Sequence, residues 1–164
     1  MTIFRASSTI SLFLFLTALV GGVQGCQKTA TVPEKYFDTL VFEVVASGSR
    51  AAITDTTEAV FTESGPWNDF LRQVTPIGRS EQPDFEQMMV AAVLIPANSG
   101  GYRVSFDSVD LIDGEIVISY TFFTPGIDCL AITAMTQPFQ AIKFPRTEGS
   151  VRFVRHTRRE SCNA

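Results

Sequence analysis

Side chains able to do chemistry are few in this sequence. It holds one imidazole, His156, and three thiols, Cys26, Cys129 and Cys162. His156 sits among Arg155, Thr157, Arg158 and Arg159, a run that reads as a solvated strand end. To act as a base it would need a carboxylate or a nucleophile delivered by the fold, and no motif of acid, base and nucleophile can be assembled around it. A metal site or a Ser/His/Asp hydrolase would have to rest on that one imidazole, so no catalytic residue, metal or cofactor is expected. Composition narrows the classes further. Thirteen Lys and Arg against 17 Asp and Glu give a net charge of -4, which argues against nonspecific nucleic-acid binding, because phosphate neutralisation needs a basic face. With 45% hydrophobic and 18% charged residues, 164 residues suit one globular domain and exclude a disordered or fibrous chain.

The first thiol ends a distinct segment. Residues 1–25 carry one charge, Arg5, and the run Ile10 to Val20 is apolar apart from Ser11 and Thr17. This is the layout of an export signal. Its apolar core is short for a bilayer span, and no later segment offers about 18 uninterrupted apolar residues. Val23-Gln24-Gly25-Cys26 resembles the lipobox of bacterial lipoproteins, in which a small residue precedes a cysteine that is acylated and becomes the mature N-terminus. Gly25 and Cys26 fit; Val23 stands where Leu is usual and Gln24 where Ala or Ser is usual. The resemblance implies lipid attachment at Cys26 and a cell-envelope protein held to the membrane by its anchor, on an outer membrane or cell surface where the cell has one. An ordinary cut near Gly22 or Gly25, leaving a secreted or periplasmic protein with an incidental thiol, is the alternative.

Removing residues 1–25 takes away Arg5 and no acid, leaving 12 Lys and Arg against 17 acids and a charge of -5. After export, Cys129 and Cys162 form an even pair in an oxidising compartment, and a disulfide between them is the expectation. Closing about 33 residues stabilises a fold by roughly 3 to 4 kcal/mol in the chain-entropy picture.

The elements that must carry these residues are mostly strands. Residues 26–38 read as a polar tether and 39–164 as a single β-rich domain. Leu40 to Val45 predicts a strand ended by Ser47-Gly48-Ser49, and Ala51 to Phe61 predicts one further strand or two short ones. Trp67, Phe70, Leu71 and Val74 follow the i, i+3, i+4, i+7 pattern of one helical face, with Ser64 or Gly65 as cap, Pro66 in the first turn and Asp69 near the positive end of the dipole. Met88 to Ile95 is apolar at every position, which predicts a strand buried on both faces. Asn98 to Gly101 reads as a hairpin loop. Tyr102, Val104 and Phe106 alternate with polar residues, but Val109 and Leu111 have the opposite parity, so a bulge near Ser108 or a strand changing sheets is expected. Asp113-Gly114 predicts a type I′ hairpin. Strands at Ile142 to Phe144 and Val151 to Val154 complete a mainly β, mostly antiparallel sandwich or open barrel with one short amphipathic helix. Val104 to Ile142 holds five acids and no base, whereas the residues from Lys143 onward hold six bases against Glu148 and Glu160. Such cations could steer a partner or anionic headgroups, or guard an edge strand against pairing.

From Phe85 onward the order of features resembles the C-terminal domain of the PrcB family, lipoprotein subunits associated with a bacterial surface protease complex. The residues that carry the resemblance are the apolar strand Met88 to Ile95, then Gly100-Gly101-Tyr102 opening Arg103-Val104-Ser105-Phe106. Pro125-Gly126 follows, and then Thr136-Gln137-Pro138-Phe139 leading into Ile142-Lys143-Phe144-Pro145-Arg146; Trp67 upstream suits the same pattern. The resemblance implies an exported, non-catalytic domain that supports or binds other envelope or secreted proteins, a protease among them. Gly100, Gly101, Tyr102, Pro125 and Gly126 are the candidate interaction loops, with a purely structural role for the glycine pair and Tyr102 as the alternative. Asn98 to Tyr102 with Pro125-Gly126 is also similar to the chagasin-like pattern of loop-presenting protease inhibitors, although the spacing departs and that family's remaining motif is missing. A structural envelope domain without a protease partner is the remaining reading.

Overall fold

The computed structural model describes residues 36–77, 82–130 and 132–163, so Cys26, the export signal and all but the last residues of the tether lie outside the described residues. In chain order the elements are β1 (Phe37–Thr39), β2 (Glu43–Gly48), β3 (Arg50–Ala51), β4 (Thr57–Phe61), α1 (Ser64–Leu71), β5 (Val74–Thr75), β6 (Met88–Leu94), β7 (Arg103–Ile112), β8 (Glu115–Pro125), β9 (Phe139–Pro145) and β10 (Ser150–Glu160). Two four-stranded sheets result, ordered β1-β7-β8-β10 and β2-β9-β6-β4, with β3 and β5 as a separate two-stranded ribbon. All pairs are antiparallel except β8 with β10, which run parallel through a register unbroken from Ser150 opposite Glu115 to Glu160 opposite Pro125.

Strand β6 explains the layering. Met89, Ala91 and Val93, with Ile95 just beyond, enter the core between the two sheets, where they meet Val104, Phe106, Val109, Ile116, Ile118, Tyr120 and Phe122 of the opposite sheet. Val90, Ala92 and Leu94 point the other way and pack with Trp67 and Phe70 of α1, Val45, Val74 and Phe139. Period-two geometry puts neighbours on opposite faces, so an uninterrupted apolar run needs a cover on each side. The first sheet supplies one cover and α1 with the β3–β5 ribbon supplies the other.

The parity flip is a bulge. Phe106 pairs with Tyr120 and Ser108 with Ser119, leaving Asp107 as the extra residue. The Phe106 N–H donates across the sandwich to Gln140 Oε1 on β9 at 2.9 Å. At the β7–β8 turn, Asp113 (φ 52°) and Gly114 (φ 84°) both take the left-handed backbone that a type I′ hairpin requires.

Several expectations change. Leu40 to Phe42 is not strand but the passage from the first sheet to the second, with Leu40 and Phe42 packed against the inter-sheet core and the Leu40 N–H donating to the Val109 carbonyl at 2.8 Å. The sheet begins at Phe37, inside the stretch read as tether, because β1 pairs with Asp110 to Ile112. Val74 leaves the helix and opens β5, so one side chain of the apolar face is supplied by a strand. The helix is capped by neither Ser64 nor Gly65: its N-cap is Glu63, which makes no side-chain cap bond, and Asp69 lies beyond the first turn, where it pairs with Arg72. Asn98 to Gly101 joins strands of different sheets and is therefore a crossover, not a hairpin loop. Periodicity reports which residues are buried, but not which neighbour buries them, and each of these changes is of that kind.

Trp67 is fully buried, stacked on Phe70 (centroids 5.7 Å apart, 17° between planes), and its indole N–H has no acceptor among the described residues. Trp67→Ala should therefore lower stability by about 3 to 5 kcal/mol. Trp67→Phe, which removes the unpaired N–H along with some volume, should lose well under half of that. Urea unfolding followed by circular dichroism measures both, and an equal loss in the two variants would contradict the packing described.

Candidate functional site: the disulfide-tied end of the sandwich

Register places the candidate residues. The β7–β8 turn at Asp113-Gly114 marks one end of the sandwich; Arg103 opposite Phe123 and Glu160 opposite Pro125 mark the other. All five candidate loop residues lie at this second end. Gly101 has φ +85°, and a Cβ there would stand 3.2 Å from the Pro125 Cβ, so glycine is needed for both conformation and contact. The Gly100 N–H donates to the Ile132 carbonyl at 3.0 Å and the Gly126 N–H to the Glu160 carbonyl at 2.7 Å. Thr136 Oγ1 donates to the Ser99 carbonyl at 2.7 Å. Tyr102 is half-buried and stacks on Phe122 at 5.5 Å, sealing the core beneath the crossover.

Cys129 and Cys162 form a disulfide at this same end, with Cα atoms 5.1 Å apart. The Asp128 carboxylate beside it accepts hydrogen bonds from the Ser161 hydroxyl (2.7 Å) and the N–H groups of Cys162 (3.0 Å) and Asn163 (3.1 Å). The Ser161 hydroxyl first, and then backbone N–H groups, hold the Asp128 carboxyl below the usual aspartate range. The chain after β8 and the chain after β10 are thereby tied together.

What the tied segment shows to solvent is apolar. Ile127 and Leu130 are almost wholly exposed, and Ile132 and Met135 are mostly so. A furrow of about 210 Å³ lined by Gly101, Pro125, Cys129, Leu130 and Glu160 runs beside them, and a cleft of about 270 Å³ between the sheets is lined by Gly48, Ile77, Tyr102, Arg103 and Phe139. Sequence reasoning passed over these four side chains. The available signal was that they are large apolar residues in a stretch with neither helical nor strand period, where nothing obliges them to be buried.

The remaining polar chemistry lies along the β4–β10 edge. Tyr120 is fully buried and its hydroxyl donates to Glu58 Oε1 of β4. Arg155 of β10 rests over the Phe122 ring at 4.7 Å. Burial, followed by the Glu58 carboxylate, raises the Tyr120 phenol well above its ordinary range, with Arg155 opposing. His156 is exposed in β10, in register with Thr121, and among the described residues no cluster of His, Cys, Asp and Glu is arranged to hold a metal ion.

Two outcomes follow from this geometry. Replacing both Cys129 and Cys162 with Ser should cost roughly 3 to 4 kcal/mol in urea unfolding, the loop-closure term; a loss below about 1 kcal/mol would show that the disulfide does not constrain the unfolded chain. For Tyr120 the folded pKa is raised, so its contribution is complete below about pH 10 and is lost as pH rises beyond that value, where the unfolded phenol ionises and the folded one does not. Unfolding measured from pH 8 to pH 11 should show a decline that Tyr120→Phe flattens, and an unchanged slope in that variant would contradict the assignment.

Residues 88–145, from the first residue of β6 to the last of β9, match the family described as PrcB C-terminal. Comparisons with curated proteins and with solved structures give no match. The matched stretch contains the doubly buried strand, the Gly100-Gly101-Tyr102 crossover, the bulged hairpin and the exposed apolar segment, and over these residues the chain is similar to the PrcB C-terminal family.

Proposed function

We propose that the protein is an exported lipoprotein, anchored through Cys26, whose sandwich is a non-catalytic interaction module that offers its disulfide-tied end to another envelope or secreted protein, with a surface protease complex as the leading class. One observation carries this reading. The described chain enters the sandwich at Tyr36, whose N–H is bound by the Asp113 carboxylate, at the end opposite the exposed Ile127 and Leu130. The 11 residues of β8 separate the two ends by about 33 Å, at some 3.3 Å per residue. The end far from Tyr36 shows solvent large apolar side chains on a segment tied down by the disulfide and Asp128, an arrangement that suits a protein partner. Similarity to the PrcB C-terminal family over residues 88–145 supports association with other exported proteins, and that family is not one of known catalytic domains.

Ile127→Asp with Leu130→Asp should leave stability within about 0.5 kcal/mol, since both side chains are already in water, yet abolish recovery of an envelope protein on the tagged chain from detergent-solubilised membranes. Recovery unchanged in the variant would contradict the reading. Cys26→Ala should shift the chain to the aqueous phase in detergent partitioning, and an unmodified thiol at the processed N-terminus of the unaltered protein would remove the anchor from the account.

The meeting of Gly100 to Tyr102 with Pro125-Gly126 at one end favours a second reading, a loop-presenting protease inhibitor. Titration against secreted cysteine and serine proteases tests it, and absence of inhibition at micromolar protein would dispose of it.

A further inference from the structure

Strand β10 closes the first sheet, and its far edge pairs with no other strand among the described residues. It is the most open edge of the sandwich. Its 11 residues run in unbroken register with β8, whereas β1, at the other edge of the same sheet, has three. Every residue from Arg155 to Glu160 is exposed. A long, flat edge of unpaired backbone groups is a template for another strand, so the side chains upon it decide which strand can approach.

Those side chains are cationic. Arg155 and Arg159 share register with Tyr120 and Thr124 on the core-facing side of the strand, and Arg158 shares register with Phe123 on the outer side, next to His156. Arg158 and Arg159 have no ion-pair partner among the described residues. A second copy of this strand would bring arginine against arginine, so the charges that turn away self-pairing also select for the opposite sign. The strand is held at both ends. Arg152 makes a bidentate contact with Glu115 at 3.0 to 3.2 Å, Glu160 pairs with Arg103 at 3.1 Å, and the disulfide follows at Cys162. A guest strand would meet an edge already ordered, which spares the entropy of arranging it.

We propose that the free edge of β10 is a docking site for an extended acidic segment of another protein, which adds to the first sheet as a fifth strand through its backbone and is selected by Arg158 and Arg159. A bilayer surface is the less favoured occupant, because the chain as a whole carries net charge -4. The site uses neither the lipid anchor nor the side chains of Ile127 and Leu130, so it survives or fails without them.

The test uses the purified full chain in nonionic detergent and a fluorescein-labelled ten-residue peptide of alternating Glu and Val, with a Lys and Val peptide as control. The acidic peptide should bind by fluorescence anisotropy, weaken as salt rises, and slow amide hydrogen exchange in β10. Arg158→Glu with Arg159→Glu should reduce its affinity about tenfold or more, while Ile127→Asp with Leu130→Asp should leave it unchanged. Equal binding of the Lys peptide, full affinity in the Arg158 and Arg159 variant, or slowed exchange confined to residues outside β10 would each overturn the proposal. Binding of phosphatidylglycerol vesicles without binding of the peptide would overturn it too and assign the arginines to a membrane surface.

Discussion

The double burial of β6 is the constraint on which the rest of the structure depends. Seven consecutive apolar residues leave no face for water, so the strand needs a cover on each side. The aromatic group of Trp67 and Phe70 with Phe61 and Phe139 provides one; the inward residues of β7 and β8 provide the other. Because β6 lies between β4 and β9 within its own sheet, backbone pairing is satisfied laterally and packing vertically. The centre of the domain is therefore fully occupied, and the exposed apolar side chains lie at one end.

The polar contacts that cross between elements reinforce this division. Gln140 reaches the Phe106 N–H at the bulge, Tyr120 reaches Glu58 across the sheets, and the Arg146 guanidinium donates to the carbonyls of Thr62 and Phe85 at 3.1 and 2.9 Å. Each satisfies a group that would otherwise be buried or left irregular, and each serves positioning. The described residues of 126–136 are different. They are fixed by a disulfide, by Asp128 and by the short bridge from Ala97 to Thr136, yet their large side chains stay in water. Order without burial is a costly arrangement for apolar groups, and it is the physical basis of the proposal that this end meets a partner.

What could be read beforehand followed from local rules. The I′ turn at Asp113-Gly114, the bulge implied by the parity change between Phe106 and Val109, the buried run at Met88 to Leu94 and the Cys129–Cys162 pair each rest on a few neighbouring residues or on simple parity. The mainly β class followed from these, whereas the family resemblance rested on the order of short motifs between Met88 and Arg146. Questions of partner choice were not legible in the same way. That Asn98 to Gly101 crosses between sheets, that Leu40 to Phe42 does likewise, and that β10 lies parallel to β8 depend on the closing of the whole sandwich. Burial of Val74 was anticipated, but its place in a strand depended on Ala51 being there to pair with it. The convergence of Gly101 with Pro125 was within reach only as two separate loops, and the exposure of Ile127 and Leu130 depends on the folded sandwich leaving them uncovered.

The central claim is that an inert scaffold turns its disulfide-tied end toward another exported protein. A photocrosslinking residue placed in turn at Leu130 and at Glu115, on the full chain in living cells, tests that claim most directly. The account expects a specific adduct with an envelope or secreted protein from position 130 and none from position 115. Adducts from position 115 alone, or the same adducts from both, would contradict it.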